Sequence, residues 1–287
     1  TTEIYTLSLH DALPIWSSTR RRNINRVIHT MKRRDLLKTI ALAGPVAAWS
    51  MAAEADERPQ TEASTRDWLA RWERNILGDA RSRYCDREMG EELGWLVSPF
   101  LNGFYYGYLA TRDPKWIEML IDWADSCIRR AVKEPDGFLG WPKGGMDAAE
   151  TFHADSLLGE AMLLRPVVLM AGEILKTPAI QEKFAPKVRT YLDLAERVFD
   201  KWDSRGCWRD VPEGGLWVVP RFGIDPNTAQ WTEGYARRAT EGFSNPANKE
   251  NHIAQWLIAM HDAIGKPVYR ARARKWFQLM RSRMKTR

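Results

Sequence analysis

The chain has 287 residues, with 43 Lys/Arg against 37 Asp/Glu and 44% hydrophobic residues, enough to bury one sizeable core. Its net charge of +6 sits at the ends: residues 1–38 hold eight bases and three acids, the last 25 hold nine bases and no acid, and the body between is net acidic. Basicity confined to the ends gives no case for nucleic acid as a partner. Cys85, Cys127 and Cys207 offer neither a disulfide framework nor a paired metal spacing, so no metal and no cofactor is expected. The sequence contains no P-loop, dinucleotide fingerprint, His-Glu-x-x-His or Gly-x-Ser-x-Gly, which removes the motif basis for a nucleotide, metalloprotease or esterase reading.

In chain order, Thr1 to Ile15 resembles a translated sequencing adapter, and residues 1–30 are read as an assembly artefact without structure of their own. Residues 31–55 then form a coherent leader. Met31 is followed by the charged run Lys32-Arg33-Arg34-Asp35-Leu36-Leu37-Lys38, by an apolar stretch from Thr39 to Ala48, and by a small-x-small site at Ala53-Glu54-Ala55. The paired arginines followed by x-Leu-Leu-Lys resemble a twin-arginine signal, with Lys32 and Leu36 departing from the usual pattern. The resemblance implies passage through the twin-arginine export machinery and a periplasmic or secreted destination. The apolar stretch is too short for a stable span, so no membrane anchor is expected after processing.

Residues 56–287 are read as one all-α domain. The run Trp68, Leu69, Trp72, Ile76, Leu77 predicts a helix over 66–78. Three helix pairs follow, 90–111 with 114–133, 155–176 with 181–202, and 248–264 with 267–285. The first member of each pair is apolar nearly all round and is expected to be buried. The second carries a stripe, such as Trp116, Met119, Leu120, Trp123, Cys127 in one and Phe184, Val188, Tyr191, Leu192, Ala195 in another. Each pair turns at a proline: Asp113-Pro114, Thr177-Pro178, Lys266-Pro267. Inner apolar helices ringed by amphipathic ones predict an α/α toroid. Three pairs do not close a ring of six hairpins, and the last helix runs to Arg287 without a Gly or Pro stop. The expectation is therefore an open, C-terminally truncated arc. The cluster Arg270, Arg272, Arg274, Lys275 reads as a solvated face of the last helix.

The loops after the outer helices are long, and long loops on a rigid scaffold are where function concentrates. One runs from Glu134 to Asp155 and holds Trp141, Lys143 and His153. The other runs from Trp208 to Asn251 and holds Trp217, Arg221, Trp231, Tyr235, Arg237 and Asn248. Indole faces suit the apolar faces of sugar rings, and interleaved Arg and Asn suit a carboxylated ligand. Trp141, Lys143, Arg221, Trp217, Trp231, Arg237 and Asn248 are the candidate substrate contacts, and an acidic poly- or oligosaccharide is the expected partner. Asn251-His252, followed by Trp256, stands at the mouth of an inner helix, and His153 opens another. A histidine can take the proton beside a uronate carboxylate near neutral pH, while an amide neutralises that carboxylate.

The Asn-His-x-x-x-Trp stretch 251–256, in its setting of helical pairs, resembles the α/α-toroid polysaccharide lyases such as alginate lyases. The resemblance implies Asn251 as carboxylate partner, His252 as base and a tyrosine as proton donor, with Tyr105, Tyr106 and Tyr235 as candidates. Unsaturated glucuronyl hydrolases share the toroid and would use paired acids instead, drawn from Asp136, Asp147, Glu150, Asp225 and Glu233. Facing histidines at 153 and 252 would also suit a sugar 2-epimerase. A non-catalytic glycan-binding protein is the remaining alternative.

Overall fold

The computed structural model describes residues 62–144, 153–218, 223–225, 227, 228, 230 and 246–284. Residues 68–287 form one unit by backbone contacts; of residues 1–67, only the start of helix α1 is described. The segments read from sequence as an export leader and as an adapter translation lie outside the described residues.

The described chain is mostly helical. Helix α1 is Glu62–Asp79. A π turn at Leu93–Val97 leads directly into α2, Ser98–Thr111, and α3 is Lys115–Arg129. Helices α4 and α5 are Leu157–Leu175 and Pro178–Ser204; α6 and α7 are Ala247–Ile264 and Pro267–Arg283. Their ends are set by local chemistry. Ser156 Oγ accepts from Gly159 N at 3.1 Å to start α4. Asp113 Oδ1 accepts from Lys115 N at 3.0 Å to start α3. Gly265, at φ 86°, closes α6 with its N–H on the His261 carbonyl, a left-handed position that glycine takes without steric cost.

The pairs α2/α3, α4/α5 and α6/α7 each pack together, and α4 also packs on both α2 and α6. Polar ties join the amphipathic members to one another. Tyr191 of α5 donates to Asp125 of α3 at 2.8 Å, beside a Lys187–Asp125 ion pair at 2.5 Å. Tyr269 of α7 donates to Glu196 of α5 at 2.8 Å, and Arg272 pairs with Asp203 at 2.5 Å. Apolar helices thus form one row and amphipathic helices a second. The shared core includes Phe104, Trp116, Trp123, Trp202 and Trp256, all buried. Cys85, Cys127 and Cys207 are free thiols inside this core, and burial pushes Cys85 up to about 12.

The outer-helix sequels contain short antiparallel pairs instead of plain loops. β1 (Val132–Lys133) pairs with β2 (Leu139–Gly140), and β4 (Trp208–Val211) with β5 (Gly214–Trp217). β3 (His153–Ala154) pairs with β6 (Gly223–Ile224), joining the two long loops. Helix α3 therefore stops at Arg129, short of the expected 133, because Val132 enters a strand. Arg272 also departs from the expected solvated face. Its guanidinium lies over the rings of Phe199, Trp208 and Trp217 at 4.8–5.2 Å, while Arg270, Arg274 and Lys275 are exposed.

Close backbone approach fixes where α4 begins. A Cβ on Gly159 would stand 2.1 Å from the Gly90 carbonyl oxygen and 3.0 Å from Glu91 Cα. Backbone cannot swing aside as a side chain can. Gly159→Ala is expected to lower stability by about 1–3 kcal/mol, measured as a fall in the urea midpoint at unchanged m-value. An unchanged midpoint would show that the two segments can separate.

Candidate functional site at the helix mouths

The starts of the three apolar helices meet. Trp95 lies at the centre of the π turn and is 43% exposed. Such turns interrupt regular helix at a local cost and recur at functional sites. Its Nε1 donates to Glu91 Oε1 at 3.0 Å, and its ring meets His252 of α6 edge-on at 6.1 Å. Both oxygens of Glu91 accept from Lys249 of α6 at 2.8 Å. These contacts tie the entrance of α2 to the first turns of α6. Trp95 also lines a groove of about 500 Å³ with Asp79, Tyr84, Pro99 and Phe100.

The start of α4 joins through the loop before it. Gly90 N donates to the Trp141 carbonyl at 2.6 Å, and Lys143 exchanges backbone hydrogen bonds with Ala154. Lys143 Nζ lies 3.0 Å from Glu92 and 3.8 Å from Glu88. His153 is half-buried, with its Nε2 2.9 Å from where a Cβ on Gly144 would sit. The mouth therefore carries Trp95 and His252 among acids and lysines, and the loop that bears His153 is tied to it through Lys143.

Beneath it lies a buried ionic cluster. Lys201 is wholly buried and donates to Asp155, to Glu160 at 2.5 Å and to the Leu139 carbonyl at 3.0 Å. Glu160 also accepts from Trp202 Nε1 at 2.5 Å. Arg205 pairs with Glu134 at 2.5 Å and Asp136 at 2.8 Å, and Asp155 Oδ1 accepts from Trp141 N at 3.0 Å. Three buried acids face two bases, so the excess negative charge is relieved by proton uptake. Burial, with Asp155 nearby, raises Glu160 well above the carboxylate range, and burial pushes Glu134 up to about 7. The two cations outweigh the burial of Asp155 and hold it below its ordinary value. This cluster pins loop 134–141 to α4 and α5, and so fixes the floor of the mouth.

His252 itself is half-buried. Burial, reinforced by the positive charge of Arg165, holds it below the usual imidazole range. At neutral pH it is therefore the unprotonated, proton-accepting form. Asn251, its neighbour in sequence, faces elsewhere: its Oδ1 accepts from Trp276 Nε1 of α7 at 2.9 Å. Adjacent helix positions do not share a face. Asn248 is exposed on the first turn of α6. Trp141 and Trp217 are wholly buried. Trp141 donates to the Cys127 carbonyl at 2.7 Å, and Trp217 packs on Phe199 and Trp208. Neither offers an indole face to a sugar. Arg221, Trp231, Tyr235 and Arg237 lie outside the described residues, as do Asp147, Glu150 and Glu233. Among the other acids considered, Asp136 is held by Arg205, and Asp225 accepts from Asn227 N at 2.8 Å. Of the candidate tyrosines, Tyr106 is 51% exposed on α2, with the half-buried Tyr105 ring 5.2 Å away.

Trp95, Glu91, Lys249 and Arg165 were not singled out from sequence. A signal existed for one of them: Arg165 is the lone cation in the helix Leu157–Leu175. Among the described residues, no group of three or more His, Cys, Asp or Glu side chains is arranged to hold a metal, and no helix is long and apolar enough to cross a membrane. Compared with models of known protein families, with curated proteins and with solved structures, the chain matches none.

Proposed function

We propose that this chain forms an open arc of an α/α toroid and cleaves uronate-containing polysaccharide by β-elimination, with His252 as the base. The observation that carries the reading is the state of His252: half-buried at the mouth of an apolar helix, edge-on to an exposed tryptophan, and depressed below the usual imidazole range. The two rows of helices support the arc. In the reaction His252 takes the proton from the carbon bearing the carboxylate. The electron pair then forms the ring double bond as the glycosidic bond breaks. The departing oxygen takes a proton from a phenol, for which Tyr106 is the exposed described candidate and Tyr235 the one on the long loop. Export rests on the leader sequence from Met31 to Ala55.

Incubation with alginate, pectate, ulvan and glucuronan is expected to give ultraviolet-absorbing unsaturated ends with at least one of them. New reducing ends without that absorbance would mean hydrolysis. Binding without any cleavage would mean a glycan-binding protein.

Among the described residues at the mouth the aromatic platform falls to Trp95, since Trp141 and Trp217 are buried. Trp95→Ala is expected to raise KM by about tenfold, equivalent to about 1.4 kcal/mol, with a smaller effect on kcat. A change in kcat alone would place Trp95 in support of His252 instead of under the sugar.

A further inference from the structure

We propose that Arg165, aimed by Asn102, is the receptor for the substrate carboxylate; the choice of a uronate as ligand rests on the function proposed above. Arg165, Asn102 and His252 come one each from the three apolar helices. Arg165 lies midway along α4, Asn102 on α2 and His252 in the first turns of α6.

Arg165 is a half-buried cation in a helix whose other buried positions are almost all apolar. Its Nη1 donates to Asn102 Oδ1 at 3.2 Å. Among the described residues no carboxylate pairs with it, although nearly every other partly buried base of this molecule has one. Lys201, Arg205, Lys249 and Arg272 all sit against acids. A guanidinium carries five N–H donors in a planar fork suited to a carboxylate, and one neutral amide oxygen satisfies only one of them.

Asn102 is itself oriented. Its Nδ2 donates to the Ser98 carbonyl at 2.8 Å and lies 3.0 Å from Ser98 Oγ. This fixes which end of the amide faces Arg165 and turns the carbonyl toward the guanidinium. Helix α4 packs directly on α6, the helix that carries His252. A carboxylate seated on Arg165 would thus be held by the helix that packs on the one bearing the base. The geometry also accounts for a uronate lyase whose Asn251 is engaged by Trp276. Arg165 supplies the charge neutralisation that makes the proton removable.

The test measures binding of the methyl glycosides of glucuronate, galacturonate and mannuronate to the full chain by titration calorimetry, with methyl glucoside as the neutral control. These probes are too short to be cleaved. Wild-type protein is expected to prefer at least one uronoside over the control. Arg165→Met is expected to lower that affinity tenfold or more and to leave the control unchanged, while Arg165→Lys, which keeps charge without the fork, falls between. If the Met variant does not fold, the Lys variant carries the comparison. Retention of the full preference in a folded Arg165 variant overturns the proposal, as does the absence of any preference in the wild type. Retention with normal polysaccharide cleavage leaves the lyase reading standing. Arg165-dependent binding without unsaturated products upholds the site and rejects the lyase.

Discussion

Lys201→Met is expected to destabilise the fold by about 3–5 kcal/mol, the usual cost of stripping one partner from a buried ion cluster. Lys201 is wholly buried and serves Asp155, Glu160 and the Leu139 carbonyl together. Methionine matches its bulk and supplies no charge, so three buried acids would be left with Arg205 as the one base of the cluster. The resulting fall in the urea midpoint follows from the loss of charge, since the packing is nearly conserved. A second change separates the causes. Glu160→Gln keeps an acceptor for Trp202 Nε1 and removes a carboxyl group that must otherwise be held protonated. The double variant Lys201→Met/Glu160→Gln is expected to recover a large part of the loss, a coupling that a double-mutant cycle reads directly. An unchanged midpoint in the single variant would mean that water reaches the cluster. Because Asp155 also holds Trp141 N, the single variant should loosen the floor of the mouth and depress activity at temperatures below unfolding.

His252→Ala is expected to reduce kcat on the responsive polysaccharide by about 100- to 10,000-fold, the range for loss of a general base. Trp95, whose ring touches His252 edge-on, should keep its place, so KM should change little. The wild-type pH profile gives an independent readout. A histidine held below its ordinary value remains a base at lower pH, so the acid limb of kcat/KM should fall below about pH 6.5. Replacing Arg165 by a neutral residue removes one of the two influences that depress His252, so that limb should move upward in pH. Full activity in His252→Ala would remove this residue from the chemistry and return attention to His153.

The helical pairs were legible because each depends on neighbours in sequence. A 3.6-residue stripe, a capping residue and a proline at the turn act within a few positions of one another. The π turn at Leu93–Val97 was not legible, since nothing in the run Leu-Gly-Trp-Leu-Val distinguishes it from ordinary helix. The short strands were missed for a similar reason. His153–Ala154 is a strand because Gly223–Ile224 lies beside it, some seventy residues away.

The site divides the same way. Composition and spacing placed His252 at a helix mouth and predicted an aromatic, charged surround. The same composition pointed to Trp141 and Trp217 as sugar platforms, and burial turned both into core. Tryptophan serves either role equally well, and only the material packed over the ring decides. Arg272 shows the converse: it looked like one of a solvated row and is inserted over three aromatic rings.

By itself the sequence determined an all-α chain of paired helices and the position of His252 on it. The tertiary structure alone decided which of the described tryptophans remain exposed, that Asn251 turns to Trp276, and that Arg165 bonds Asn102 without a carboxylate partner among the described residues. The reason is physical. Helix periodicity is a property of adjacent residues, whereas burial and charge pairing depend on side chains brought together from different helices.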